Sequence, residues 1–310
     1  MKRVLLLAML CALTMEARAA TYYVIVAGLG GEADYEQRFT AAAKDLDRIF
    51  KAAGGTAHVY TLAGPQATAA QLRQTMDAVA RDAQAEDDFA LIIIGHGSFD
   101  GVEYKLNLVG PDVTAAEIGA LCDRIGARRQ LVVNTTSASG GAVQALERPA
   151  RAVIAATKSG MEKNATVFAR YWIEALRDPA SDSDKNEAIS ALEAFKYSEQ
   201  KTAKFFETQN RLATEHALLE DTGKGEGTKS PSPENGEGLL AGQFTVLHLG
   251  AVTAQINNPE KLALLKRKEE LEQSIDDLKY HKASMDLGEY RAKLQQYFLE
   301  LAKTQEALDK

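Results

Sequence analysis

An imidazole and a hydroxyl stand at the ends of two apolar runs. LIIIGHG (91–97) ends on His96, between Gly95 and Gly97, and LVVNTTSASGG (131–141) carries Ser137 in a turn of small residues. In a parallel α/β sheet the carboxyl ends of neighbouring strands are where active sites form. Nucleophilic acyl transfer needs a nucleophile, a base within hydrogen-bond reach and donors for the oxyanion. Ser137 fits the first role and His96 the second; the amide N–H groups of Gly97 and Ser137 fit the third. Glycine on both sides of His96 lets backbone approach a substrate closely. Asn134 and Thr135, at the end of the strand that leads to Ser137, would shape a substrate pocket. No acidic neighbour of His96 is an evident orienter; Asp100 and Glu103 are candidates by proximity alone. The plainer alternative makes His96 and Ser137 ordinary turn residues of an unrelated α/β fold.

A second pattern lies in DSDKNEAISALE (182–193). Asp182, Asp184 and Asn186 take positions one, three and five of a calcium-binding EF-hand loop, Ile189 the apolar eighth and Glu193 the bidentate twelfth. The sixth position calls for glycine at a sharp turn, and here it is Glu187. The competing reading is a helix start capped and charged by Asp182 and Asp184. A weak calcium site is the only cofactor the sequence suggests. His216 and His248 have no metal-ligand spacing, and GLGGEA (28–33) lacks the full dinucleotide fingerprint.

These residues need a scaffold, and the chain alternates strand and helix patterns to supply one. Strands are expected at 21–31, 56–64, 88–97, 129–137 and 151–159, with a short hairpin in 101–110. The all-apolar run before His96 is of the kind buried on both faces of a parallel sheet. Helices are expected at 36–55, 70–84, 114–125, 141–149, 164–178 and about 187–219. Trp172 falls in the 164–178 helix, where core packing is its default role. Residues 222–238, rich in Gly, Pro and Ser, read as a flexible loop, and 242–250 as a last strand, possibly at a sheet edge. The pattern predicts an α/β fold with a mostly parallel sheet over residues 20–250. Beyond it, Leu264, Leu271, Leu278 and Met285 recur every seven residues, then Leu287, Leu294, Leu301 and Leu308 in a shifted frame. Asp286 followed by Glu289 marks a new helix start at the break. An α-helical hairpin over 259–310 is the expectation, and a dimerising coiled coil the alternative.

The amino terminus reads as an export signal. Lys2 and Arg3 precede the apolar stretch Val4 to Leu13, and Ala17-Arg18-Ala19 fits the small-x-small cleavage rule. The apolar stretch is too short to span a bilayer. Cleavage after about Ala19 would place the mature protein in a periplasm or outside the cell. Losing Lys2, Arg3, Arg18 and Glu16 takes the net charge from −7 to −9. A surface that acidic argues against nucleic acid as a partner. Cys11 leaves with the signal, so Cys122 is a lone thiol, expected to be a buried apolar residue.

Taken with their order and spacing, these motifs resemble the caspase-like cysteine peptidases, closest to the legumain branch and its bacterial relatives. His96-Gly97 matches that family's His-Gly turn, and Thr136-Ser137-Ala138-Ser139-Gly140 matches its small-Cys-x-Ser-Gly turn, with Ser137 in the cysteine's place. Residues 153–176, 193–201 and 215–225 also look like bacterial members of the group. The resemblance covers roughly residues 21–250 and implies a three-layer sandwich and a peptidase cleft. A thiol is readily ionised beside an imidazole, whereas a serine hydroxyl needs a well-oriented base. The expectation is therefore an exported peptidase homologue that has lost catalysis and acts by binding a peptide or protein. An active Ser137–His96 hydrolase is the first alternative, and an assembly protein acting through its helical tail is the second.

Overall fold

In the computed structural model, which describes residues 19–53, 56–249 and 258–310, the chain forms a three-layer α/β sandwich followed by a helical hairpin. A six-stranded sheet lies in the middle, in the order β10-β8-β7-β3-β1-β2. Five strands are parallel: β1 (Thr21–Ala27), β2 (Ala57–Leu62), β3 (Asp88–Ile94), β7 (Arg129–Asn134) and β8 (Arg151–Ala155). Strand β10 (Leu218–Glu220) closes one edge antiparallel to β8. Almost all of the expected export signal, residues 1–18, lies outside the described residues.

The side-chain alternation of β3 explains the layers. Phe89, Leu91 and Ile93 point into one core, with residues of α2 (Ala69–Asp82), α3 (Ala115–Asp123) and α4 (Val143–Leu146). Ala90, Ile92 and Ile94 point into the other, with α1 (Ala33–Ala52), α5 (Phe168–Ala175) and α6 (Ala191–Thr208). A central parallel strand buried on both faces has no polar side to show, so its sequence is continuously apolar. Trp172 and Cys122 are both buried in these cores, as expected.

Several elements differ from the sequence expectation. The hairpin strands β4 (Gly97–Phe99) and β5 (Tyr104–Leu106) lie earlier than the alternation suggested, and β6 (Val113–Thr114) joins them as a separate antiparallel sheet. The long helix expected to run to Leu219 stops at Thr208, and its last residues are β10 instead. Tertiary pairing decides here, because LLE is too short for its period to show. The strand β11 (Thr245–His248) is not an edge of the main sheet; it pairs antiparallel with β9 (Ala188–Ser190).

After α7 (Leu239–Gln243), the tail folds as α8 (Pro259–Tyr280) and α9 (Leu287–Leu308). The helices run antiparallel: Lys261 Nζ donates to the Leu308 carbonyl at 2.9 Å, and Arg267 pairs with Glu300. Asp286 caps the second helix, accepting from the Gly288 and Glu289 amides at 2.8 and 3.1 Å. Leu271, Ile275 and Leu278 are buried, and Tyr280 Oη donates to the Glu237 carbonyl at 2.9 Å, so the hairpin rests on the α/β domain. Among the described residues no helix is long and apolar enough to cross a membrane.

Candidate functional site

Strands β3 and β7 are direct neighbours, with Ile93 opposite Asn134. Carried three residues further, the same offset sets position 96 opposite position 137. The pairing ends before that. Gly95, at φ +145°, turns the chain out of the strand in a conformation few side chains tolerate. His96 thereby swings toward α1. Its ring lies edge-on to Tyr35 and Phe39, with centroids 4.7 and 5.1 Å away. Burial, and then the charge of Arg38, hold its pKa below the usual value, against the pull of Glu32.

With His96 turned aside, Ser137 meets the peptide of the next residue. Ser137 Oγ accepts from the Gly97 N–H at 3.1 Å and donates to the Gly97 carbonyl at 3.0 Å. The amide expected to serve an oxyanion thus holds the serine hydroxyl. Among the described residues no hydrogen bond joins the His96 ring to Ser137. Ser137 is itself only 2% exposed. Neither proposed orienter reaches His96: Asp100 accepts from the Val102 and Glu103 amides within its own turn, and Glu103 faces Lys105 at 3.9 Å.

The turn around Ser137 is tightly built. Ala138 is left-handed at φ +57°. Ser139 Oγ accepts from the Thr157 amide at 3.1 Å, and the Ala138 amide donates to the Glu162 carbonyl at 2.8 Å. Asn134, expected in a substrate pocket, is fully buried instead. Its Oδ1 accepts from the Thr136 amide and hydroxyl at 3.2 and 2.8 Å and from Tyr104 Oη at 3.4 Å, while its Nδ2 has no hydrogen-bond partner among the described residues. Its role here is to hold the turn, and it points into the layer opposite the cavity. Thr135 faces the other way: its hydroxyl donates to the Ile93 carbonyl at 2.7 Å, and it lines the cavity.

That cavity, about 1010 Å³, is a valley between α1 and α5. Gly95 and Thr135 close it at the site end; Asp45, Arg177 and Pro179 lie along its lining, as do the apolar walls Phe39, Ile173 and Phe205. His96 and Ser137 are not part of its lining. Its charged groups are unequally paired. Asp45 meets Arg177 at 3.2 Å, Glu174 meets Lys201 at 2.9 Å, and Asp178 accepts from Tyr197 Oη at 2.6 Å. Arg38 and Arg170, which also line it, lie over the Tyr35 and Tyr171 rings at 5.2 and 5.3 Å, and among the described residues no carboxylate is in ion-pair contact with either. Composition and periodicity gave no sign of these two arginines, because they converge only through packing of α1 against α5.

The 182–193 loop forms the turn its sequence put in doubt. Glu187 is left-handed at φ +69° and Lys185 at φ +63°. Asp182 accepts from the Asn186 and Glu187 amides at 3.1 and 3.2 Å. Glu193 forms a capping box with Ser190 at the start of α6, and its other oxygen accepts from the Ser183 amide at 2.8 Å. Carboxylate oxygens of Asp182, Asp184 and Glu193 lie within 4.8 Å of one another. The Asn186 side chain donates to Asp184 and Glu272, and its Oδ1 accepts from the Ala188 amide. In this form Ser190 and Glu193 cap the start of α6, whereas Asp182 and Asp184, expected as the caps, accept amides within the loop's own turn.

Among solved structures, the fold is similar to that of the Drosophila initiator caspase Dronc, with a TM-score of 0.43 at 12% identity over 66% of this chain and 80% of that one. It is also similar to a protein from Geobacter sulfurreducens, with a TM-score of 0.47 at 14% identity over 75% of this chain and 100% of that one. No protein-family model and no curated protein matches the chain. At such scores and identities, the reading of the cleft rests on its own residues.

Proposed function

We propose that this chain is an exported homologue of the caspase- and legumain-like peptidases that has no peptidase activity and binds a peptide or protein segment in the α1–α5 valley. One observation carries the reading. The oxygen at the nucleophile position is buried and closed onto the backbone of Gly97, outside the cavity that a ligand can enter. A serine hydroxyl attacks only when an oriented base takes its proton, and here the imidazole packs against two aromatic rings. Arg38 and Arg170, which form no ion pair among the described residues, present charge beside apolar walls, which suits a segment that carries a carboxylate and apolar side chains.

The lowered pKa of His96 favours the rival reading, since a general base must be neutral to act. The two are separated by a fluorophosphonate probe and a library of acidic and neutral peptides. The expected result is no labelling, no hydrolysis, and binding that weakens when Arg38→Ala and Arg170→Ala are combined. Stoichiometric labelling that disappears in Ser137→Ala would overturn the proposal in favour of a working serine hydrolase.

A further inference from the structure

Residues 222–238 have the composition of a linker, yet both ends of the segment are tied to one point. The Asp221 amide donates to Glu237 Oε2 at 2.9 Å. Asp221 in turn accepts from the Gly238 amide at 2.7 Å and the Ala241 amide at 2.9 Å. Thr222 Oγ1 bridges Glu237 Oε1 and Glu220 Oε1, at 3.1 Å to each. Between these ends the strap runs along the open side of β10, where Leu219 and Thr228 exchange backbone hydrogen bonds at 2.9 and 2.7 Å. It therefore covers an edge that another strand would otherwise find unpaired.

The clasp is made of acids. Glu220, Asp221 and Glu237 are 0%, 6% and 8% exposed, and among the described residues Glu220 Oε2 has no hydrogen-bond partner. On the α8 side, the groups around the clasp are Tyr280, whose hydroxyl holds the Glu237 carbonyl, and Asp276. On the strap itself, Glu234 is drawn down first by its bond from Ser232 and only weakly by Lys282. Beside burial, the charges that raise Glu237 are those of Asp221 and Glu220, so ionising it adds negative charge to a buried site that already holds two carboxylates.

We propose that the 222–238 strap is a pH-released cover over the β10 edge, clasped while Glu237 carries a proton and loosened when it gives that proton up. The sign follows from burial and the two neighbouring carboxylates, which push Glu237 up to about 7 from its usual 4.5. In the open strap Glu237 returns to the ordinary carboxylate range. Closure thus takes up a proton between those values and weakens as the pH rises through them.

Hydrogen exchange of the full chain, read by peptide at pH 6.0 and 8.5 and normalised to intrinsic rates, tests this. Amides of Asp221, Thr228 and Gly238 should lose about tenfold in protection between the two pH values, the ratio expected when a group of pKa near 7 must stay protonated for closure. The core strand β3 opens only with the whole fold and follows global stability, so the strap is compared with the same amides in Glu237→Gln. Glu237→Gln keeps an acceptor for the Asp221 amide without titrating, so its strap should be protected equally at both pH values. Unchanged wild-type protection overturns the proposal even if the variant fails to fold. A pH response that persists in Glu237→Gln overturns it as well.

Discussion

Ser137 and Gly97 hold each other: the serine hydroxyl accepts from the Gly97 amide at 3.1 Å and donates to its carbonyl at 3.0 Å. A residue poised to attack a substrate would direct its proton to a base. This one closes a bridge between the turns that follow β3 and β7, so its first effect is on stability.

Ser137→Ala should therefore lower stability, by about 1–2 kcal/mol, because two part-buried backbone groups lose their partner. Denaturant midpoints at constant slope measure this. A midpoint equal to that of the unaltered protein would show that the bridge is absent in solution.

Gly97→Ala should be worse tolerated than most glycine substitutions. A methyl group there would stand 2.4 Å from Tyr104 Cε2 and 2.6 Å from the Ser137 carbonyl oxygen. Neither can retreat, since Tyr104 is buried and its hydroxyl bonds Thr136 at 2.6 Å. A cost toward the upper part of about 1–3 kcal/mol is expected from overpacking, with a lower Tm as the readout. A neutral outcome would mean that the β4–β5 hairpin moves freely over the site.

Stability should fall as the medium goes from mildly acidic to neutral. Glu215 is buried and pushed up to about 7 from 4.5, burial being the main cause. Its carboxylate accepts from the Val167 amide at 2.8 and 3.1 Å, next to Thr166, which donates to the Thr135 carbonyl. Between pH 4.5 and 7 the folded chain keeps a proton that the unfolded chain has released, so stability drops across that window and levels off above it. Thermal melts from pH 5 to 8 should show the decline, with a shallower slope in Glu215→Gln. A Tm that rises over this range would contradict the assignment.

Glu187→Gly should stabilise the 182–193 loop. Glu187 is exposed and held left-handed at φ +69°, a conformation that costs a residue with a Cβ about 1–2 kcal/mol. Part of that gain is lost to the greater freedom of glycine when unfolded, leaving roughly 1 kcal/mol. Melting of the variant with and without calcium also separates the two roles of the loop. A cap alone gives the same increase in both, whereas a cation site gives a larger shift with the metal.

Much of the scaffold was legible before any coordinates. The run DFALIII could only be a strand covered on both faces, and the two turns after β3 and β7 stood out by their small residues. The heptad rows and the Asp286 cap gave the hairpin directly, because helix periodicity and capping are local. β10 was not legible, nor was the partner of β11: a strand of three or four residues is defined by what lies beside it.

The sequence by itself determined the layers, the strand ends that carry His96 and Ser137, and the absence of a thiol from the turn. The tertiary structure alone decided that these two side chains do not meet, since one glycine torsion at position 95 turns the imidazole toward α1. It alone brought Arg38 beside Arg170, and Asp221 beside Glu237. Periodicity and caps act over a few residues and can be read along the chain. Convergence of distant side chains depends on how packed layers aim them, and that information is distributed over the whole core.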